Sequence, residues 1–130
     1  MEITEIYADD TSETHLRDIQ VNFALRDFAP PSAPMGVSSE MPLTTSVFLE
    51  LPPGWDPQYH ATPRRQLVVV LKGHLNITTT DGASADFQRG DVFFLSDKDS
   101  KGHLSLVQGQ EPVGLFLIGV PDRFILENLV

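Results

Sequence analysis

Residues 54–73 read GWDPQYHATPRRQLVVVLKG, a proline-containing lead-in that becomes an apolar run and stops at a glycine. Gln66–Leu71 is rich in Val and Leu, which is strand composition, and Lys72-Gly73 supplies a turn. Successive side chains of a strand face opposite ways. His60, Thr62, Arg64 and Gln66 therefore share one face if extended backbone continues through Pro63, and Tyr59, Ala61 and Arg65 point the other way. Pro63 cannot donate a ladder hydrogen bond, which puts this stretch at an edge or a barrel mouth. Leu67–Leu71 is apolar on both faces, as in a strand covered on both sides. A partner subunit is one source of that second cover, so a homodimer is expected.

Downstream, short strands alternate with turns. His74–Thr80 leads into Asp81-Gly82, a strong hairpin signal. Ala85–Gln88 and Val92–Leu95 flank the turn Arg89-Gly90-Asp91, and Leu104–Val107 and Val113–Val120 follow. Phe93 and Phe94 are adjacent and must face opposite sides. Upstream, residues 43–51 have strand composition and end at Pro52-Pro53-Gly54. Ile3–Tyr7 and Ile19–Phe28 are two further strands, the second because Ile19, Val21, Phe23 and Leu25 alternate with polar or small residues. Residues 29–42 carry four prolines and read as a long loop. Residues 121–130 suit a short helix starting at Pro121-Asp122, or a terminal strand. About nine short strands predict an all-β sandwich or barrel.

The chain has 130 residues, the size of one domain, with 41% hydrophobic and 21% charged residues. Nine basic against eighteen acidic residues give a net charge of −9, a field that repels phosphate backbones, so no nucleic-acid partner is expected. No apolar run approaches the ~20 residues of a membrane span, so no membrane partner is expected either. MEITEIYADD is acidic and lacks the apolar core of a secretory signal. The chain has no cysteine, which excludes disulfides and thiolate chemistry, and a cytoplasmic location is the default. There is no phosphate-binding glycine loop, no Gly-x-Ser-x-Gly elbow and no His-Glu-x-x-His helix.

The opening stretch resembles the first motif of the cupin family. Gly54 precedes His60 by six positions, Thr62 and Gln66 follow, and Gly73 comes seven after Gln66. In the family, the positions of His60, Thr62 and Gln66 are usually His, His and Glu and hold a metal. Gly90-Asp91-Val92-Phe93-Phe94 resembles the start of the second motif. There the expected Pro and Gly are Ser96 and Lys98, and the usual Asn position falls on Val107. His103 comes two residues later than that motif predicts, which a two-residue insertion within 97–102 reconciles. Pro63-Arg64-Arg65-Gln66 and Gly102-His103 are similar to an uncharacterised bacterial branch of the family.

The resemblance implies one jelly-roll domain, a double-stranded β-helix over 1–130, with its barrel at about 43–120 and N-terminal strands and the proline-rich loop in 1–42. It implies a metal site at His60, Gln66 and His103 for a divalent ion such as Zn, Fe, Ni or Mn. Two imidazoles and an uncharged amide should hold the ion more weakly than a set with a carboxylate. Arg64 could grip a carboxylate or phosphate in a bidentate pair, or be tied in an ion pair of its own. Thr62, Trp55 and Tyr59 are the other candidate ligand contacts. Two functions stay open: a barrel binding a small anionic or polar metabolite, and a metal-dependent enzyme, dioxygenase- or isomerase-like, acting on a small carboxylate or sugar-like substrate. His15 and His74 read as surface residues.

Overall fold

The computed structural model describes residues 1–124 and Leu126. They form eleven strands: β1 Glu2–Ala8, β2 Thr14–Gln20, β3 Ala24–Arg26, β4 Met35–Val37, β5 Thr45–Leu51, β6 Gln66–Lys72, β7 His74–Thr79, β8 Ser84–Gln88, β9 Val92–Ser96, β10 His103–Gln108 and β11 Val113–Gly119. One sheet has six strands in the order β2-β1-β9-β6-β11-β5, and a second has three in the order β10-β7-β8. All pairings are antiparallel except β1 with β9. No helix among the described residues is long and apolar enough to cross a membrane.

One hydrophobic cluster joins the two sheets face to face. Val68, Phe93 and Leu115 from the larger sheet meet Leu75, Ile77 and Val107 from the smaller one. The inward residues alternate with outward ones, as in His103, Ser105 and Val107 of β10. Two facing sheets are the all-β sandwich or barrel that the strand count and turns predict, and they agree with the double-sheet jelly roll that the family resemblance implies. Gly73 makes the β6–β7 corner with φ +81, and a Cβ there would sit 2.6 Å from the Pro112 carbonyl oxygen.

Part of the outer face of the larger sheet is covered by the chain itself. Phe94, Val120, Phe124 and Leu126 form a second cluster against which Leu67, Ile19 and Met41 pack. Phe93 and Phe94 thus enter separate clusters, and a fully buried Phe contributes about 1.5–3 kcal/mol. Arg65 anchors the cover, donating to the Asp122 and Phe124 carbonyls with its guanidinium over the Phe94 ring. Of the run Leu67–Leu71, this cluster covers Leu67, whereas Leu71 is 43% exposed.

The N-terminal third departs from expectation. The strand expected over Ile19–Phe28 is instead β2 and the separate β3, and Phe23 and Leu25 are exposed. The reason is the length of the partner. β2 pairs along β1 as far as Gln20 opposite Glu2, and the Val21 amide takes the Met1 carbonyl, where the ladder runs out. The expected loop 29–42 contains β4, which pairs with β3 as a two-stranded hairpin. Pro121 opens a turn closed by the Phe124 amide on its carbonyl. The rest of the expected helix or strand over 121–130, save Leu126, lies outside the described residues.

His15 is half-buried. It bridges two turns, with Nε2 2.6 Å from Asp9 of the β1–β2 turn and Nδ1 2.8 Å from Asp81 of the β7–β8 turn. Hydrogen bonds to Asp9 and then Asp81 raise its pKa above the ordinary 6.5. The same contact, with help from Thr11, holds Asp9 well below the usual carboxylate range, while Thr79 and the Ala83 amide lower Asp81. A raised histidine pKa adds stability that is complete below pH 6.5 and lost as pH climbs through the folded-state value. The lowered Asp9 and Asp81 contribute above the ordinary 3.8, a contribution lost on acidification. Urea unfolding of the wild type should therefore show stability falling as pH rises above 6.5. His15→Gln should flatten that slope, and an equal slope in the variant would refute the bridge.

Candidate functional site

Between the sheets lies a cavity of about 490 Å³. Its walls are apolar, built from side chains such as Val47 and Leu49 of β5, Val68 of β6, Phe93 of β9 and Leu115 and Leu117 of β11. Its polar groups include His60, Thr62, Arg64, Gln66, His103 and Ser105, with Thr45 beside Arg64. β5 pairs only with β11 and ends the larger sheet, so Val47 and Leu49 remain 55% and 37% exposed beside the opening.

A backbone bridge brings the two histidines together. The His60 amide donates to the His103 carbonyl and the His103 amide to the His60 carbonyl, both at 3.0 Å. Residues opposed in this way project side chains on the same face, and the imidazole centroids are 4.8 Å apart. Gly102 makes the approach possible. It has φ +82, and a Cβ there would lie 2.2 Å from the His60 carbonyl carbon. Thr14, fully buried, donates to the Gly102 carbonyl at 2.8 Å, and the Lys101 amide donates to Ser12. The β1–β2 hairpin thus buttresses the loop before β10.

His60 is exposed at the rim and His103 is buried. His60 Nδ1 lies 2.9 Å from the Gln58 carbonyl, and the Trp55 ring meets the imidazole edge-on at 6.3 Å. His103 Nδ1 lies 2.6 Å from Asp97 Oδ2, in a pair that is almost completely buried. The other Asp97 oxygen, Oδ1, is buried with no partner among the described residues.

Thr62 donates its hydroxyl to the Arg64 carbonyl at 2.6 Å and accepts the Gln66 amide N–H at 3.1 Å. Its proton is thus committed within the protein, leaving one lone pair, and Gln66 keeps its amide oxygen as an open acceptor. Strand geometry does not run from His60 to Gln66, because the chain bends at Pro63 and Arg64. The four side chains nonetheless all line the cavity, the bend replacing the continuous strand expected. Arg64 is exposed, donates to Thr45 Oγ1 at 2.9 Å, and has no carboxylate partner among the described residues. Trp55 lines the cavity, whereas Tyr59 is 49% exposed and does not. No three His, Cys, Asp or Glu side chains gather as a metal cluster among the described residues.

Asp97 is the functional candidate that sequence reasoning missed. The two extra residues before His103 marked the loop 97–102 as unusual but not which of its side chains turns inward.

No protein-family model matches the chain. No curated protein matches it in sequence. Solved structures of similar fold include protein NMB1881 from Neisseria meningitidis, at 13% identity and TM-score 0.47 over 67% of this chain and 89% of that one. The cupin domain of Schizosaccharomyces pombe Cnp3 aligns at 15% identity and TM-score 0.46, over 83% and 73%. A Salmonella typhimurium protein described as ethanolamine utilization protein Q aligns at 17% identity and TM-score 0.43, over 93% and 96%. All three alignments lie below 20% identity and below a TM-score of 0.5.

Gly102→Ala should cost more than the ~1–2 kcal/mol of a left-handed backbone, because the bridge must also open. Gly54→Ala, at φ +75 with open space around it, should cost only the conformational part. Equal losses in urea unfolding would refute the close-approach account.

Proposed function

We propose that the chain binds a small amphipathic molecule in its barrel, with an apolar body along Val47, Leu49 and Leu117 and a polar or anionic head toward His60, His103, Gln66 and Arg64. The observation that carries this is a ligand-sized apolar cavity with a few polar groups converging on it. Arg64 gives the head its sign. It is a cation at the cavity without a carboxylate partner among the described residues, in a chain of net charge −9. A guanidinium there favours a carboxylate or phosphate, through paired hydrogen bonds.

A thermal-shift screen with aliphatic and aromatic carboxylates, sugar phosphates, sugars and nucleotides tests this. A ligand at a hundred times its Kd stabilises by about 2.7 kcal/mol, a rise on the order of 10 °C in Tm for a domain of this size. Carboxylates with an apolar body should give the largest shift, and Arg64→Ala should reduce it. No shift with any class would overturn the proposal.

The paired imidazoles favour a second reading, a metal-dependent enzyme acting on such a ligand. The donor set fits a borderline divalent cation such as Zn, Fe or Ni: two imidazoles on adjacent backbone positions and the open amide oxygen of Gln66. His60 and His103 would hold the ion, with Gln66 as a third donor, and it would supply Lewis-acid polarisation of a ligand oxygen. Around it, Arg64 orients the anionic end and the apolar walls exclude water from the body. Elemental analysis of protein purified without chelator should find metal that His60→Ala and His103→Ala lose. Metal-free wild type that also refuses reloading would sink this second reading.

A further inference from the structure

Resting on the metal reading, we propose that Asp97 is the positioning residue of the two-histidine centre. It fixes His103 so that both imidazoles offer an unprotonated Nε2, and it supplies the negative charge that the donor atoms lack.

The tautomers follow from the partners. A backbone carbonyl only accepts, so the Gln58 oxygen 2.9 Å from His60 Nδ1 requires a proton on that nitrogen. A neutral imidazole carries one N–H, which leaves His60 Nε2 with a lone pair. An ionised Asp97 imposes the same state on His103, because its Oδ2 accepts from Nδ1 at 2.6 Å. One ring thus leans on a main-chain carbonyl and the other on a carboxylate. These are the acceptors that ordinarily orient metal-ligating histidines.

The charges point the same way. An imidazole that ligates a metal is neutral, as is the Gln66 amide, and no carboxylate among the described residues lines the cavity. Asp97 is fully buried immediately behind His103, with Oδ1 unpartnered. A buried carboxylate half satisfied by one imidazole is poorly compensated, and a cation on the far nitrogen of that imidazole offsets its charge. The six-residue loop 97–102 therefore delivers a ligand and its counter-charge together. Ser100 Oγ ties the loop internally, donating to the Asp97 carbonyl at 2.6 Å and accepting the Gly102 amide at 3.0 Å.

Titration of the full chain with Zn2+ alone, followed by calorimetry, tests the proposal with Asp97→Asn beside the wild type. Loss of Asp97's charge should weaken Zn2+ binding roughly 10–100-fold. Long-range 1H–15N spectra of the metal-free wild type in alkaline buffer should show a proton on Nδ1 and none on Nε2 of both rings, a readout that needs no variant and no turnover. Asp97→Asn that binds Zn2+ as tightly as the wild type overturns the role of Asp97 alone. A protonated His103 Nε2 in the wild type overturns the tautomer assignment even if Zn2+ binds. Wild type that takes up no Zn2+ overturns the metal reading itself, while leaving ligand binding in the cavity to its own screen.

Discussion

Two backbone hydrogen bonds between His60 and His103 hold the site together. The 14-residue connection between β5 and β6 has no sheet of its own, and this bridge is where it is pinned to β10. The bridge sets the imidazoles side by side, brings Trp55 against His60 and places the bend at Pro63 and Arg64 beside the cavity. It depends on Gly102, since only a residue without a Cβ lets the two backbones come that close. Chemistry that needs two side chains in register is therefore secured by main chain, which is less easily displaced than a side-chain contact.

The barrel was legible in the sequence because its signals are local. Turns at Gly73, Asp81-Gly82 and Gly90 punctuate strands whose inward residues alternate, and neither signal needs distant contacts. The cavity face was legible for the same reason: His60, Thr62, Arg64 and Gln66 at spacing two converge on it, although the backbone bends where a strand was expected. The same alternation sent Tyr59 outward, against its place among the candidate contacts.

What sequence could not show was decided by partners far along the chain. β2 ends where β1 ends, so the alternation of Val21, Phe23 and Leu25 continued past the last residue able to pair with it. Thr62 lines the cavity as expected, but its proton goes to the Arg64 carbonyl and one lone pair to Gln66, which leaves it only as an acceptor. Asp97 looked like one more acid among eighteen, and its role depends on a loop conformation that places it behind His103. Charge behaves likewise: the chain is strongly acidic, yet among the described residues the cavity is lined by an arginine and by no carboxylate, so net charge misleads about the interior.

The parallel pairing of β1 with β9 sets the order in which the molecule can be made. Thr4 meets Phe93 and Tyr7 meets Ser96, so the N-terminal hairpin has no place in the larger sheet until the chain has extended some ninety residues further. Such non-local closure is entropically costly and slow relative to neighbouring hairpins. β6–β9 can pair soon after synthesis, whereas β1 and β2 wait as an unattached ribbon. Thr14 and Ser12 of that ribbon hold the loop at Lys101 and Gly102. The loop that leads into the histidine pair is therefore braced by residues 88 positions earlier in the chain.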